Sequence, residues 1–99
     1  MSLQIAINQE QLDRFCRGHH IRRLAFFGSV LRHDFRPNSD VDVLVEFEPD
    51  HVPGLAFFRM ETELSEILGR KVDLNTPGFI SRHYRDNIMQ EAEVRYDAA

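Results

Sequence analysis

The chain has 99 residues, a formal net charge of −4, a 42% apolar share and a single cysteine. That length fits one domain, 1–99, and leaves little room for a second module. An acidic domain is a poor general binder of nucleic-acid backbone, no apolar run is long enough for a bilayer, and a lone Cys16 cannot form an internal disulfide, which suits a reducing cytoplasm.

Met1 to Gln11 contains no basic segment followed by an apolar run, so it does not read as a signal peptide. Asn8 is placed to cap a helix over Gln9 to Arg17, with Gln11 at the capping-box position and Gly18 as the stop. Leu12, Phe15 and Cys16 fall on one face of it, and Cys16 is expected in the core. Arg23 to Phe27 reads as a strand that Gly28-Ser29 breaks, with a short helical turn expected through Leu31 to His33. Pro37-Asn38-Ser39 is a turn. Asp40 to Phe47 alternates strictly, with Val41, Val43, Val45 and Phe47 on one face and Asp40, Asp42, Leu44 and Glu46 on the other. After a Pro- and Gly-rich loop, Leu55 to Leu68 reads as the longest helix, with Phe57, Leu64 and Leu68 inward and Gly69 at its end. Lys71 to Leu74 is a short strand. Ser81 can cap a last helix that carries Tyr84, Ile88 and Ala92 inward. Four helices alternating with three main strands imply an α/β (α+β) fold, a small mixed sheet flanked by helices. Phe26, Phe27, Phe57 and Phe58 are most simply core residues. The five histidines show no metal-ligand spacing.

The chemistry concentrates in Gly28-Ser29, followed after ten residues by Asp40-Val41-Asp42. Glycine removes a Cβ where the chain turns and a phosphate must approach the backbone. Ser29 adds a hydroxyl and an amide at the start of a helical turn, where free N–H groups favour anions. Two positions apart on a strand, Asp40 and Asp42 lie on one face with Cα atoms roughly 6.5 Å apart. Such a pair repels itself unless hard cations neutralise it, and Mg²⁺ takes carboxylate and phosphate oxygens together. Asp73 offers a third carboxylate on another strand, between Val72 and Leu74, and could also accept a proton from an attacking hydroxyl. Taken singly, these are an ordinary turn, a solvent-facing strand and an edge acid. Gly-Ser at this distance from Asp-x-Asp arises by chance in on the order of one in a thousand chains of this length and average composition, and the joint pattern favours a metal site. Arg32, three residues past Ser29, faces the same phosphate or stands as a surface arginine. Arginines near both ends, among them Arg14, Arg22, Arg82 and Arg95, rim an acidic centre, as suits a nucleotide or a partner, or simply a solvated surface.

From Phe26-Phe27-Gly28-Ser29 through Arg32, Pro37 and Ser39-Asp40-Val41-Asp42-Val43-Leu44-Val45 to Val72-Asp73-Leu74, the sequence resembles the polymerase-β-type nucleotidyltransferases, and among them the minimal nucleotidyltransferase antitoxins. Arg85 to Tyr96, with Glu91-Ala92, looks like that family's last helix. The resemblance implies a mixed sheet, two Mg²⁺ ions at Asp40, Asp42 and Asp73, and ATP phosphates against Gly28, Ser29 and Arg32. His33 departs from the family, where a glycine commonly follows the arginine. The resemblance further implies transfer of AMP to a tyrosine of a HEPN-domain ribonuclease toxin. Two alternatives stay open: an antitoxin that acts by binding alone, and a transferase with a small-molecule or RNA acceptor.

Overall fold

Helix α1 (Gln9–Gly18) starts where Asn8 Oδ1 accepts the Gln11 N–H at 3.0 Å, which satisfies one of the amides that a helix start leaves without a partner. The computed structural model describes residues 3–98, the side chain of Phe79 excepted. Met1, Ser2 and Ala99, the ends of the domain expected over 1–99, lie outside the described residues. The order continues with β1 (Ile21–Phe27), a 3₁₀ turn (Gly28–Leu31), β2 (Val41–Phe47), α2 (Ala56–Leu68), β3 (Val72–Asn75), a second 3₁₀ turn (Pro77–Phe79), α3 (Arg82–Glu91) and β4 (Glu93–Asp97).

The strands form one mixed sheet in the order β3-β2-β1-β4. β1 runs antiparallel to both neighbours, while β2 and β3 are parallel. Parallel neighbours need a crossover, and α2 supplies it. The alternation of β2 decides which face is covered. Val41, Val43 and Val45 are fully buried against Leu12, Phe15 and Cys16 of α1 and Met60 and Leu64 of α2, with Phe26 at the centre. Each such side chain contributes about 1.5–3 kcal/mol when fully buried. The opposite face of β2 carries Asp42. α2 ends at Gly69 in a left-handed conformation, φ 67°, as expected. A Gln9 Nε2 hydrogen bond to the Arg95 carbonyl at 2.7 Å ties α1 to β4.

The fold corrects several expectations. There are three α-helices and four strands among the described residues, not four and three. The segment 85–96 is not one helix: α3 ends at Glu91 and the chain enters β4, because the free edge of β1 offers partners, Ala25 opposite Val94 and Leu24 opposite Tyr96. Tyr84, Ile88 and Ala92 do not form an inward stripe. α3 buries no residue and Tyr84 is 64% exposed; Met89 and Ala92, at its end, line a small pocket with Ala25 and Leu44 and add nothing to the core cluster. Phe58 is 68% exposed; Met60 takes the inward place on α2, while Phe57 packs edge-on against Phe47. The short turn falls at Gly28–Leu31 and not at Leu31 to His33, because the break at Gly28 itself starts it. α1 runs through Gly18, and His20, φ 57°, makes the left-handed reversal. β1 begins at Ile21, which the core buries. Ser81 precedes α3 through its carbonyl, which accepts the Tyr84 and Arg85 N–H groups, without a side-chain cap.

Candidate active site

Sheet register builds the acidic centre. Phe27, the last residue of β1, lies opposite Asp42, so the next residue, Gly28, meets the Asp42 side chain. Gly28 has φ +77°, and a Cβ there would be driven into the Asp42 carboxylate. Glycine is therefore required twice, for the left-handed backbone and for the close approach. On the other side of β2, Asp42 pairs in parallel register with Asp73. In-register residues on neighbouring strands project to the same face. Val41 and Val43 flank the one acid and Val72 and Leu74 the other, all four buried in the core, so both carboxylates emerge on the opposite face. Asp40 lies just before β2, two positions from Asp42 and exposed, with Lys71 Nζ at 4.0 Å.

The electrostatics follow from this crowding. Partial burial, then the charges of Asp73 and Asp40, push the Asp42 carboxyl up to about 6, an effect that Arg32 partly offsets. Burial disfavours the charged form and like charges add to it. Arg32 is extended and lies past the 3₁₀ turn; its N–H donates to the Ser29 carbonyl at 2.9 Å, and its guanidinium stands 3.8 Å from Glu91. The bond to Ser29 closes one 3₁₀ turn, so Arg32 lies one turn beyond Ser29 and adjoins the acidic centre. His33 does not have a positive φ, so the backbone there does not need glycine. Ser29 is half-buried at the start of the turn.

The structure thus brings Gly28, Arg32, Asp40, Asp42 and Asp73 to one end of the sheet. Among the described residues, no three His, Cys, Asp or Glu side chains are placed to hold a metal ion between them, Asp40, Asp42 and Asp73 included. The ion pair of Arg32 with Glu91 escaped the sequence reading. Its only signal was an acid in the last turn of a helix, where the helix dipole disfavours it. The remaining groups fall elsewhere. Cys16 is buried, its thiol pushed up to about 12 chiefly by burial and then by Asp13, which makes it an inert core residue. His19 Nε2 lies 2.6 Å from Glu63, and His20 stacks on His51. A cleft of about 380 Å³ between α1 and α2, lined by Gln11, Arg14, Phe15, His19, Glu63 and Ile67, shares no residue with the acidic centre.

The model of the nucleotidyltransferase domain family matches residues 9–95. The chain belongs to that family. This nucleotidyltransferase is 40% identical over 75 residues to a Methanocaldococcus jannaschii protein provisionally named a protein adenylyltransferase, covering 74% of each chain. It is 38% identical over 74 residues to the protein adenylyltransferase MntA of Thermococcus cleftensis, covering 74% of this chain and 69% of that one. It is an enzyme domain of the nucleotidyl-transferring class. A solved structure of a protein provisionally named a minimal nucleotidyltransferase superposes with TM-score 0.71 at 32% identity, over 85% of both chains. A crystal structure of a toxin–antitoxin with AMP-PNP superposes with TM-score 0.74 at 19% identity, over 93% of this chain and 75% of that one, a likeness of fold. No helix among the described residues is long and apolar enough to cross a membrane.

Proposed function

We propose that this nucleotidyltransferase moves AMP from ATP onto a tyrosine hydroxyl of a HEPN-type ribonuclease toxin in the cytoplasm, and so acts as its antitoxin. The observation that carries the reading is the parallel register of Asp42 and Asp73 beside Gly28, with Asp40 next to them. The relatives named protein adenylyltransferases support transfer to a protein. The structural neighbours include a tri-AMPylated Shewanella oneidensis HEPN toxin in complex with its MNT antitoxin, which supports the choice of partner.

Balance fixes the reaction: the acceptor oxygen bonds to the α-phosphorus, the bond from that phosphorus to the bridging oxygen breaks, and pyrophosphate leaves with the electron pair. The acceptor proton must go to a base, and a carboxylate on this face, Asp73 foremost, can take it. Gly28 lets the phosphates approach the backbone, Ser29 offers a hydroxyl, and Arg32 offers a cation once it leaves Glu91.

The donor set fits Mg²⁺. Burial first, and then the charges of Asp73 and Asp40, raise the Asp42 pKa; a divalent cation would relieve the repulsive part, and Mg²⁺ characteristically completes its shell with substrate phosphates and water, so a closed protein cage is not required. Asp40, Asp42 and Asp73 would hold two ions. When bound, they supply neutralisation of the charge that develops on the transferring phosphate and the leaving group. AMP on the toxin would add bulk and negative charge, which repels an RNA backbone.

The test mixes a HEPN partner in about tenfold excess with this protein, ATP and Mg²⁺, then reads ribonuclease activity and partner mass. Loss of activity in the excess partner with AMP-sized mass increments on a tyrosine is expected. Inactivation limited to one partner per chain, without a mass change, would reject transfer in favour of binding alone.

A further inference from the structure

β3 is an edge strand of only four residues, yet it carries Asp73. β2 holds it from one side only. From the other side α2 supplies two acceptors: the Leu74 N–H donates to Glu61 Oε2 at 2.8 Å and the Val72 N–H to Ser65 Oγ at 3.0 Å. These amides belong to the residues immediately before and after Asp73. The Ser65 hydroxyl donates in turn to the Glu61 carbonyl at 2.8 Å, which fixes its rotor and aims a lone pair at Val72. The repeats also match. Residues i and i+4 on a helix rise about 6.0 Å, and i and i+2 on a strand about 6.6 Å, so Glu61 and Ser65 meet the two outward amides in register.

We infer that Glu61 and Ser65 are positioning residues that set the roll of β3 and thereby aim the Asp73 carboxylate at Asp42. The inference rests on the reading that Asp73 helps to hold the divalent cation. A short strand fixed along one edge can rotate about that edge. Such a rotation carries the Asp73 side chain, which lies between the two bonded amides, toward or away from Asp42. Two acceptors on the free edge remove the rotation. Partners hydrogen-bonded to a metal ligand typically change its affinity by 10–100-fold when lost; Glu61 and Ser65 bond the amides beside Asp73, so the low end, about tenfold, is expected.

The test uses the full chain with Mn²⁺ and a non-hydrolysable ATP analogue. Bound Mn²⁺ is read from water proton relaxation, and circular dichroism gives the folded fraction. Glu61→Ala, which removes the acceptor, should weaken Mn²⁺ binding about tenfold per folded molecule. Glu61→Gln, which keeps an acceptor oxygen, should restore it to within about twofold. Transfer should need correspondingly more Mg²⁺ for half-maximal rate in Glu61→Ala. A folded Glu61→Ala that binds Mn²⁺ as the wild type does, while Asp73→Asn does not, overturns the positioning role alone. Wild-type protein that binds no Mn²⁺, or Asp73→Asn that binds it normally, overturns the underlying reading. If Glu61→Ala does not fold, Ser65→Ala carries the test, and unchanged Mn²⁺ affinity in that variant overturns the inference.

Discussion

Replacing Asp42 with asparagine should stabilise the metal-free protein, and do so only above mildly acidic pH. The Asp42 carboxyl is raised from its ordinary 3.8 to about 6, by burial first and by Asp73 and Asp40 next. A raised folded-state pKa means that the folded chain holds the proton more tightly than the unfolded one. The group's contribution to stability is then complete below about pH 3.8 and is lost as pH rises through about 6. At pH 8 wild type therefore carries a charge that the fold disfavours. The shift corresponds to at most about 3 kcal/mol, and solvent screening of a half-exposed group reduces it to about 1–2 kcal/mol. Asparagine keeps the shape and drops the charge, so Asp42→Asn should melt about 5–10 °C higher at pH 8 in chelator. At about pH 4, where the wild-type carboxyl is largely protonated when folded, the gain should mostly vanish. Thermal melts of both proteins at the two pH values decide it. An asparagine variant that melts at or below wild type at pH 8, or keeps the same advantage at pH 4, refutes the crowding argument. Mg²⁺ with ATP analogue should close the gap from the other side, because only wild type keeps the full set of ligands.

The same substitution, like Asp40→Asn and Asp73→Asn, should lower transfer of AMP by at least about 10²-fold while the circular-dichroism spectrum stays native; wild-type turnover in any of the three removes that residue from the chemistry. Gly28→Ala should cost about 1–2 kcal/mol for the left-handed backbone alone, and more for the collision with Asp42, as measured by urea unfolding; an unchanged midpoint contradicts the close approach. Phe26→Ala should cost about 3–5 kcal/mol and Phe58→Ala under about 0.5 kcal/mol, so their melting temperatures should separate widely.

The acidic cluster was legible in the sequence because its signals are local. A two-residue period puts Asp40 and Asp42 on one face whatever the sheet order, and a valine on each side of Asp42 marks the buried face. That Asp42 would stand beside Asp73 and touch Gly28 depends on strand order and register, which pairing across the sheet decides. β4 was hidden for the same reason. Glu93 to Asp97 carries three charged residues and becomes a strand only because β1 has a free edge to pair with. The helical period of Tyr84, Ile88 and Ala92 is real in α3, but periodicity does not reveal whether a surface lies underneath. The reversal at His20 instead of Gly18 shows a helix extended one residue further than its glycine signals. Arg32 and Glu91 are far apart in sequence and are joined only when α3 returns along the sheet.

Both margins of the sheet are occupied by helix side chains. Gln9 reaches the Arg95 carbonyl on β4, and Glu61 and Ser65 take the outward amides of β3. A chain seeking to extend the sheet by strand addition would first have to displace these bonds and leave polar groups of the helices without partners. Association is steered instead toward contacts between side chains, which form and part without a backbone ladder to unzip. Were the acceptor a protein, as proposed above, such surfaces would suit turnover, since each modified acceptor must depart before the next can dock.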